Sequence, residues 1–438
     1  MKIGIIGGTK GLGKTLAILL KQENFEITIT GRDENIGKIV SKELGIAYSN
    51  DNKKVAKEND IVIVSVPIAT TNKVIEDIAK SLQKGSLLLD VTSVKVGPLH
   101  TMEKLLEKDI EFIPTHPVFG PRTTNLNGQV VVLTPTDEQK EGKWYPKIIN
   151  FLNSNKVRII EATAEEHDDM MAVVQVLTHF SYISTASAIK KLGINIKDTR
   201  KFASPVYNLM VDMISRIVSQ NPILTYSIQE ENENGEKVRQ TFLDSAKELK
   251  EVLTNQDKDK FVEIAIEATK NMDDIQSALG RSDKAIDSQN HEISMLKNSV
   301  GREVAIQHIY SEEIHIGILK EITPDFITLA TGKKEKNLKI ANIRILNDED
   351  LFQWNLANKS IKTHSISCVF PKNSNENIIK DTIKASVSNV FDVKVTDIYT
   401  GEQVPKNSIS ITFEIQSFEN STFKDVENLL KGFGGIIR

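Results

Sequence analysis

Short apolar segments alternate with amphipathic stretches throughout residues 1–163. A run of about four to eight apolar residues predicts a buried strand, and apolar residues spaced three and four apart predict a helix. Strands that alternate with helices in this way favour a parallel sheet with helices on both of its faces. The predicted strands span residues 2–6, 26–30, 61–66, 87–90, 111–114 and 130–133.

Residues 164–297 instead show long amphipathic helices with few chain breakers. At about 100° per residue, the polar residues of the first helix fall on one stripe and apolar residues occupy the opposite face. Because this helix is otherwise apolar, we expect the stripe to line a cleft. We expect His167, at the start, to act as a cap or hinge. The stripe is Asp168, Gln175, His179 and Tyr182, and the apolar face is Met170, Val173, Val174, Leu177 and Phe180.

The rest of the chain divides into a helical and a strand-rich part. Residues 238–299 are charged and heptad-like, which is typical of helix packing and of a dimer interface. Residues 298–360 contain about five short strands, which predict a small β-barrel of the SH3 or Sm type. Residues 361–438 follow the order β-α-β-β-α-β, which predicts a ferredoxin-like α+β domain. Four domains are therefore predicted, at 1–163, 164–297, 298–360 and 361–438.

Composition sets limits on this picture. The chain has 438 residues, of which 39% are hydrophobic and 26% charged, as in ordinary folded proteins of several domains. The formal net charge of -4 argues against a general nucleic-acid-binding surface, although a local basic patch in the carboxyl-terminal domain stays possible. Cys368 is the single cysteine, which suits a reducing cytoplasm. No apolar run approaches the roughly 18–20 residues of a membrane span, so a cytoplasmic protein without membrane contact is expected.

A glycine-rich turn follows the first predicted strand and precedes a predicted helix. Residues 7–13 read G-G-T-K-G-L-G. Glycines in this context allow a tight turn and the close approach of a pyrophosphate to the start of the helix. Together with the repeated β-α units, the turn predicts a Rossmann domain that binds a dinucleotide. The predicted cofactor-binding residues are Gly7, Gly8, Thr9, Lys10, Gly11, Leu12, Gly13, Arg32, Ser65, Val66 and Pro67.

The end of the second strand bears on the choice between NADP and NAD. Residues 30–33 read T-G-R-D. An acidic residue here usually binds the ribose 2′-hydroxyl of NAD, whereas an arginine suits the 2′-phosphate of NADP. Arg32 lies at the expected distance after Gly13, so NADP is predicted. Asp33 would serve NAD instead if the turn is one residue longer.

Two motifs follow neighbouring predicted strands: D-V-T-S-V-K at 90–95 and T-H-P-V-F-G-P-R at 115–122. Side chains just past the carboxyl ends of parallel strands face the crevice in which such sheets bind ligands. Prolines on both sides of His116 predict an imidazole on a stiff loop, and a pKa near neutrality makes it a candidate general base. Ser93 and Lys95 would face the same crevice.

The S-V-K and H-P-V-F-G-P blocks, placed behind a nucleotide-binding amino terminus, resemble the prephenate and arogenate dehydrogenases of tyrosine biosynthesis. By motif order the resemblance covers residues 1–295. It implies the oxidative decarboxylation of prephenate to 4-hydroxyphenylpyruvate with NAD(P)+, with His116 and Ser93 as catalytic residues and without a metal. It also implies that Arg216, His179, Gln175 and Lys95 bind the substrate, and that the helical domain forms a homodimer.

Other functions stay open. Arogenate is an alternative substrate, and a β-hydroxyacid-type or other NADP-linked dehydrogenase shares the domain plan, although the H-P-V-F-G-P block would then have no explanation. A regulator that senses dinucleotides without catalysis is the alternative of another class. The final domain is similar to the anticodon-binding domain of phenylalanyl-tRNA synthetases, and a regulatory amino-acid-binding module of the same topology competes with that interpretation.

Overall fold

A computed structural model of the chain describes residues 1–272, 274–387 and 390–438. The described residues form two compact units, residues 1–275 and 276–438. The division between the units falls inside the segment that was expected to form the helical domain.

The first unit is built on one eight-stranded sheet. Its strands are β1 (Lys2–Ile6), β2 (Glu26–Thr30), β3 (Ala47–Ser49), β4 (Ile61–Val64), β5 (Leu87–Asp90), β6 (Glu111–Pro117), β7 (Val130–Leu133) and β8 (Arg158–Glu161). They lie in the order β3-β2-β1-β4-β5-β6-β7-β8, and β1 to β6 are parallel. The strand order reverses beside β1, and doubly wound sheets bind ligands at this point.

The far edge of this sheet departs from the expected parallel order. Strand β7 pairs antiparallel with β6, and β8 runs parallel to β7. Residues 118–129, which connect β6 to β7, form no helix. A return to the parallel direction needs a crossover connection, usually a helix, so β7 runs back along β6.

Helices cover both faces of the sheet, and the strand sequences reflect this. Strand β4 is apolar throughout, with Ile61 and Ile63 in one core and Val62 and Val64 in the other. A strand that is buried on both faces needs such a continuous apolar run. The helices are α1 (Gly11–Gln22), α2 (Glu34–Leu44), α3 (Asn52–Glu58), α4 (Ile68–Ala79), α5 (Val96–Leu105), α6 (Asp137–Lys140) and α7 (Tyr145–Ser154).

The rest of the first unit is helical. One continuous helix comprises α8 (Ala164–Met171), a π-helical segment (Ala172–Leu177) and α9 (Thr178–Lys191). By length and composition this helix could cross a membrane, which corrects the expectation that no stretch is apolar enough. The predicted stripe faces inward, whereas Met170, Val173 and Val174 are more than half exposed. The further helices are α10 (Ile196–Thr199), α11 (Pro205–Val218), α12 (Pro222–Glu231), α13 (Gly235–Thr254) and α14 (Lys258–Lys270), with a 3-10 turn at Arg200–Phe202.

The second unit contains two antiparallel sheets. It begins with α15 (Ile275–Asn298), followed by β9 (Glu303–His308), β10 (Ile314–Ile322), β11 (Phe326–Thr331), β12 (Lys334–Lys339), a 3-10 turn (Ile340–Asn342), β13 (Ile343–Ile345) and α16 (Asp348–Asn358). The second sheet and its helices are β14 (Lys362–Pro371), α17 (Glu376–Ser386), β15 (Val390–Tyr399), β16 (Ser408–Ser417), α18 (Ser421–Gly432) and β17 (Ile436–Ile437). The strand orders are β12-β11-β10-β9-β13 and β15-β16-β14-β17, and the second order is that of the predicted ferredoxin-like fold.

The predicted fold class is therefore confirmed, with differences at element boundaries. The heptad-like stretch 238–299 is divided among three helices. Gln256 adopts a left-handed conformation with φ 54°, and Asp257 then caps α14 by accepting a hydrogen bond from the backbone of Lys260. The first helix of the predicted β-α-β-β-α-β order, which the sequence places at 375–389, ends at Ser386, and residues 388 and 389 lie outside the described part of the chain.

Candidate active site

The glycine turn has the shape of a dinucleotide-binding turn. Gly7 has φ +88°, and a Cβ on it would lie 2.1 Å from the carbonyl oxygen of Ser65. A Cβ on Gly13 would lie 2.4 Å from the carbonyl oxygen of Gly7. Helix α1 has no side-chain cap and no acidic residue in its first turn, so its first N–H groups remain available to an anion. The turn therefore fits a pyrophosphate.

The other predicted residues of the turn differ in whether their side chains are exposed or packed against the core. Lys10 is exposed at the start of α1. Thr9 is buried against Gly31, and Leu12 packs on the adjacent apolar core. The side chains of Thr9 and Leu12 are thus part of the packing, and only their backbone lies in the turn. Gly8 and Gly11 complete the turn, and Gly11 has φ +55°.

Arg32 and Asp33, which follow β2, have different surroundings. The Arg32 side chain is exposed. The Asp33 carboxylate accepts a hydrogen bond from the backbone N–H of Ile36 at 3.1 Å and so caps α2. Arg32 therefore has its guanidinium free in solvent, while Asp33 has a structural role.

The segment after β4 borders the glycine turn. The backbone N–H of Ser65 donates to the carbonyl of Ile6 at 2.8 Å. Ser65 and Val66 are half-buried, and Pro67 is exposed at the start of α4. Ser65 and Val66 therefore lie beside Gly7 of the glycine turn.

His116 lies in a strand and not on the loop that the flanking prolines suggested. Strand β6 extends to Pro117, and His116 pairs with Val132 of β7. Pro117 ends the strand, whereas Pro114 lies in its middle, where it pairs with Asp90 of β5 and its carbonyl accepts a hydrogen bond from the backbone N–H of Thr134 at 3.0 Å. The imidazole is only 3% exposed. The strand thus holds it more rigidly than a loop would.

A chain of polar contacts leads from His116 to the first helix of the helical part. His116 Nδ1 lies 2.9 Å from His167 Nε2, and His167 Nδ1 lies 2.7 Å from Asp168 Oδ1. All three side chains are buried. His167 is therefore neither a cap nor a hinge, since Thr163 caps α8. The contact of His167 with His116 was not predicted from the sequence, although His167 directly precedes Asp168 of the polar stripe.

The polar stripe brings further groups to His116. Gln175 Nε2 lies 3.4 Å from His116 Nε2, and Gln175 belongs to the π-helical segment. Gln175 Oε1 and His179 Nδ1 are buried, and neither has a hydrogen-bond partner in the described part of the chain. Buried polar atoms are nearly always paired, so these two atoms are suited to a bound ligand. Segments of π-helix frequently occur at functional sites.

Lys95 does not have the place expected for a substrate-binding residue. Its side chain is fully buried and forms an ion pair with Asp90. Its ammonium also donates to the carbonyl of Thr115 at 2.7 Å, next to His116. The amino group is thus enclosed beneath the site, and we correct its expected role from substrate contact to an electrostatic one.

Burial and these charges set the ionisation of the imidazoles. The pKa of His116 is lowered well below 6.5, chiefly by burial and further by His167 and Lys95. Burial also lowers the pKa of His179. Burial lowers the pKa of Lys95, against the opposing effect of Asp90. His116 is consequently neutral at physiological pH, as a general base must be.

Two predicted residues are less closely tied to this cluster. Ser93 is half-buried just past the carboxyl end of β5. Arg216 is exposed on α11. Asp212, one turn before Arg216 on the same helix, forms an ion pair with Arg200.

Known proteins resemble the chain in sequence and in fold. Residues 16–161 match the nucleotide-binding domain of prephenate dehydrogenase, and residues 163–267 match its dimerization domain. The probable arogenate/prephenate dehydrogenase of Methanocaldococcus jannaschii is 38% identical over 440 residues, which cover 99% of this chain and 98% of that protein. The prephenate dehydrogenase (NADP(+)) of Saccharomyces cerevisiae is 27% identical over 230 residues, which cover 50% of this chain and 48% of that protein.

A solved structure shares the fold of the first unit. It is the prephenate dehydrogenase from A. aeolicus in complex with hydroxyphenyl propionate and NAD+, with a TM-score of 0.50 and 22% identity. The similarity covers 63% of this chain and 98% of that one.

The doubly wound sheet and its glycine turn, followed by a helical dimerization domain, define an oxidoreductase that uses a nicotinamide dinucleotide. The chain belongs to the prephenate/arogenate dehydrogenase family. This membership replaces the β-hydroxyacid-type alternative, and it confirms the family that the two sequence blocks indicated.

Proposed function

We propose that the protein converts prephenate to 4-hydroxyphenylpyruvate by oxidative decarboxylation, with NADP+ as the acceptor. The observation that carries the proposal is the buried His116, whose Nε2 lies 3.4 Å from the side-chain nitrogen of Gln175, a residue whose Oε1 is buried without a partner in the described part of the chain. An uncharged imidazole in this place is suited to accept a proton from a substrate hydroxyl.

The chemistry requires little beyond orientation and one proton acceptor. The glycine turn and the segment after β4 would hold the nicotinamide dinucleotide, which would supply the acceptor for the hydride at C4 of the substrate. His116 Nε2 takes the proton of the C4 hydroxyl, and the resulting dienone loses CO2 from C1, which leaves the bonding electrons in the ring. The aromatic phenolate then recovers the proton from His116. Aromatisation supplies the driving force, and the protein holds the reacting groups in register.

Other residues complete the proposed site. Ser93 holds the substrate hydroxyl, because it is half-buried just past the carboxyl end of β5, next to the strand β6 that carries His116. Gln175 and His179 bind polar groups of the substrate through the atoms left unpaired in the structure. Arg216 binds a substrate carboxylate, since a guanidinium matches that group bidentately.

Arg32 supports NADP as the cofactor. Its guanidinium is exposed at the end of β2, while Asp33 is occupied by capping α2. A free guanidinium there suits a 2′-phosphate. The glycine turn would hold the pyrophosphate, with Lys10 and the first N–H groups of α1 facing it.

A cytoplasmic homodimer is the proposed state of the protein. The helical part exposes a large apolar surface that includes Phe202 (92% exposed) and Val206 (66%). Exposed apolar surface of this extent is typical of an interface, and these residues lie in the segment that matches a dimerization domain. Sedimentation analysis is expected to give twice the mass of the chain.

Four reactions test the function: prephenate or arogenate, each with NADP+ or NAD+, followed at the absorbance band of the reduced nicotinamide. We expect the fastest rate with prephenate and NADP+. A faster rate with arogenate would assign arogenate as the substrate in place of prephenate. Tight binding of NADP+ without turnover of either substrate would contradict catalysis and favour a dinucleotide-sensing regulator.

A further inference from the structure

A hydrogen-bonded path runs from the start of α5 to His116. The Asp168 carboxylate accepts hydrogen bonds from the backbone N–H groups of Lys95 at 2.8 Å and Val96 at 3.0 Å, where α5 begins. The same carboxylate contacts His167, which contacts His116. One acidic side chain of the helical part thus binds the nucleotide-binding part and the candidate base together.

The donors along this path can be assigned by elimination. An ionised carboxylate only accepts, so His167 Nδ1 carries the proton that it shares with Asp168. In the neutral ring, Nε2 of His167 is then an acceptor, and His116 Nδ1 must donate to it. His116 Nε2 consequently carries the lone pair. This nitrogen is the one that faces Gln175.

We propose that His167 and Asp168 are positioning residues, which fix His116 in the tautomer whose lone pair lies on Nε2, toward the substrate. The inference rests on the proposed function, because only a base at His116 needs this tautomer. Asp168 accepts from His167 Nδ1 and so fixes the tautomer of His167. Because His167 Nε2 is then an acceptor, His116 must carry its proton on Nδ1. No ring has to turn during the reaction.

The surroundings hold the path in place. The His116 and His167 rings meet edge to face, with centroids 5.1 Å apart and planes at 75°. The side chain of Asn232 donates to the carbonyl of Asp168 at 2.8 Å, which fixes the backbone of α8. His167 and Asp168 are 2% and 5% exposed, so water does not compete for their hydrogen bonds.

Two variants of one residue separate positioning from simple packing. In His167→Gln, the amide oxygen reaches the place of Nε2 and can accept from His116 Nδ1. In His167→Asn, the shorter amide keeps the contact with Asp168 but offers His116 no acceptor. We expect kcat to fall about 10²-fold or more in His167→Asn and less than about tenfold in His167→Gln, with KM for the substrate within about threefold in both.

Equal losses of kcat in the two variants would overturn the proposal, since a packing role does not depend on which atom of the amide faces His116. Wild-type kcat in His167→Asn would overturn it too.

A spectroscopic measurement on the wild-type enzyme does not depend on activity. In protein with ¹⁵N-labelled histidine, the ring shifts of His116 are expected to show protonated Nδ1 and unprotonated Nε2. The opposite tautomer would overturn the inference even if both His167 variants were unstable. Failure of the wild type to oxidise prephenate or arogenate would instead contradict the proposed function, and the tautomer result would stand by itself.

Discussion

The two units of the molecule bury different kinds of polar groups. Among the described residues, every buried histidine or charged side chain belongs to the first unit. They are Asp90, Lys95, His116, His167, Asp168 and His179. The residues described in the second unit include four buried polar side chains, all neutral, namely Asn355, Ser410, Ser417 and Thr422. Since buried charge is costly unless it is paired, its concentration in one unit indicates where the protein carries out its chemistry.

The first unit itself contains two different polar clusters. Lys95 and Asp90 form an ion pair with no exposed surface, and Asp90 Oδ1 has no hydrogen-bond partner in the described part of the chain. His116 and His167 are also buried, but their path ends at Gln175 and the unpaired atoms of the stripe. The first cluster is enclosed in the fold, whereas in the second cluster Gln175 Oε1 and His179 Nδ1 remain for a ligand.

Of the changes considered, His116→Asn is expected to have the largest effect, a loss of turnover. Because the variant loses the proton acceptor but keeps a polar side chain of smaller size, kcat should fall by about 10²–10⁴-fold with KM little changed. Steady-state kinetics measures both constants. His100→Asn is the matched control, since His100 is exposed on α5 and should tolerate the same substitution. Wild-type turnover of His116→Asn would remove this residue from the mechanism.

Sequence patterns predicted what depends on local order along the chain. Six of the eight strands of the sheet and the glycine turn follow from periodicity and motif spacing, whereas the short strand β3 and the edge strand β8 were not predicted. The inward face of the stripe was also correct, because helical periodicity alone separates Gln175 and His179 from Met170. These features need no knowledge of how distant segments pack.

The features that the sequence left undetermined depend on distant contacts. His167 meets His116 across 51 positions of the chain, and only tertiary packing brings them together. Lys95 was expected to face the substrate, but the backbone after β5 turns its side chain inward onto Asp90 and Thr115. The antiparallel direction of β7 and the π-helical segment likewise have no local signature.

Phe413→Ala tests whether chemistry is confined to the first unit. Phe413 is fully buried in the core of the second sheet of the second unit, and truncation should destabilise that core by about 3–5 kcal/mol. Below the unfolding temperature kcat should not change, because no proposed catalytic group lies there. Thermal unfolding and turnover on the same sample check both statements, with Ile398→Ala (45% exposed) as the control. A matching loss of kcat would contradict the separation of roles.

Lys95→Met tests the enclosed ion pair. Removing the ammonium leaves Asp90 as an unpaired buried carboxylate, which should lower the free energy of unfolding by about 3–5 kcal/mol. In the double variant Asp90→Asn with Lys95→Met, neither charge remains, and most of that loss should be recovered. Denaturant unfolding of both variants measures the difference. Equal stability of the single and double variants would show that the pair does not stabilise the fold as a unit.

Arg32→Ala should have a smaller effect that is confined to the cofactor. If the guanidinium binds the 2′-phosphate, its loss removes a charge-assisted hydrogen bond worth about 1.5–3 kcal/mol and weakens NADP+ binding about 10–150-fold. Binding of NAD+, which lacks this phosphate, should not change. Fluorescence titration with each reduced cofactor measures both affinities. Equal weakening of both cofactors would assign Arg32 to a general electrostatic role.

The smallest expected effect is on the pH at which turnover declines on the acid side. His116 must be neutral to accept a proton, and its pKa lies well below 6.5 because of burial, His167 and Lys95. Turnover should therefore stay constant as the pH falls through 6.5 and decline only below it. In the Asp90→Asn, Lys95→Met variant, the loss of the Lys95 cation removes one cause of the lowered pKa, so the decline should begin at a higher pH. An acid limb that stays in place in this variant would show that the enclosed cluster does not act on His116, and burial and His167 would then account for its neutral state.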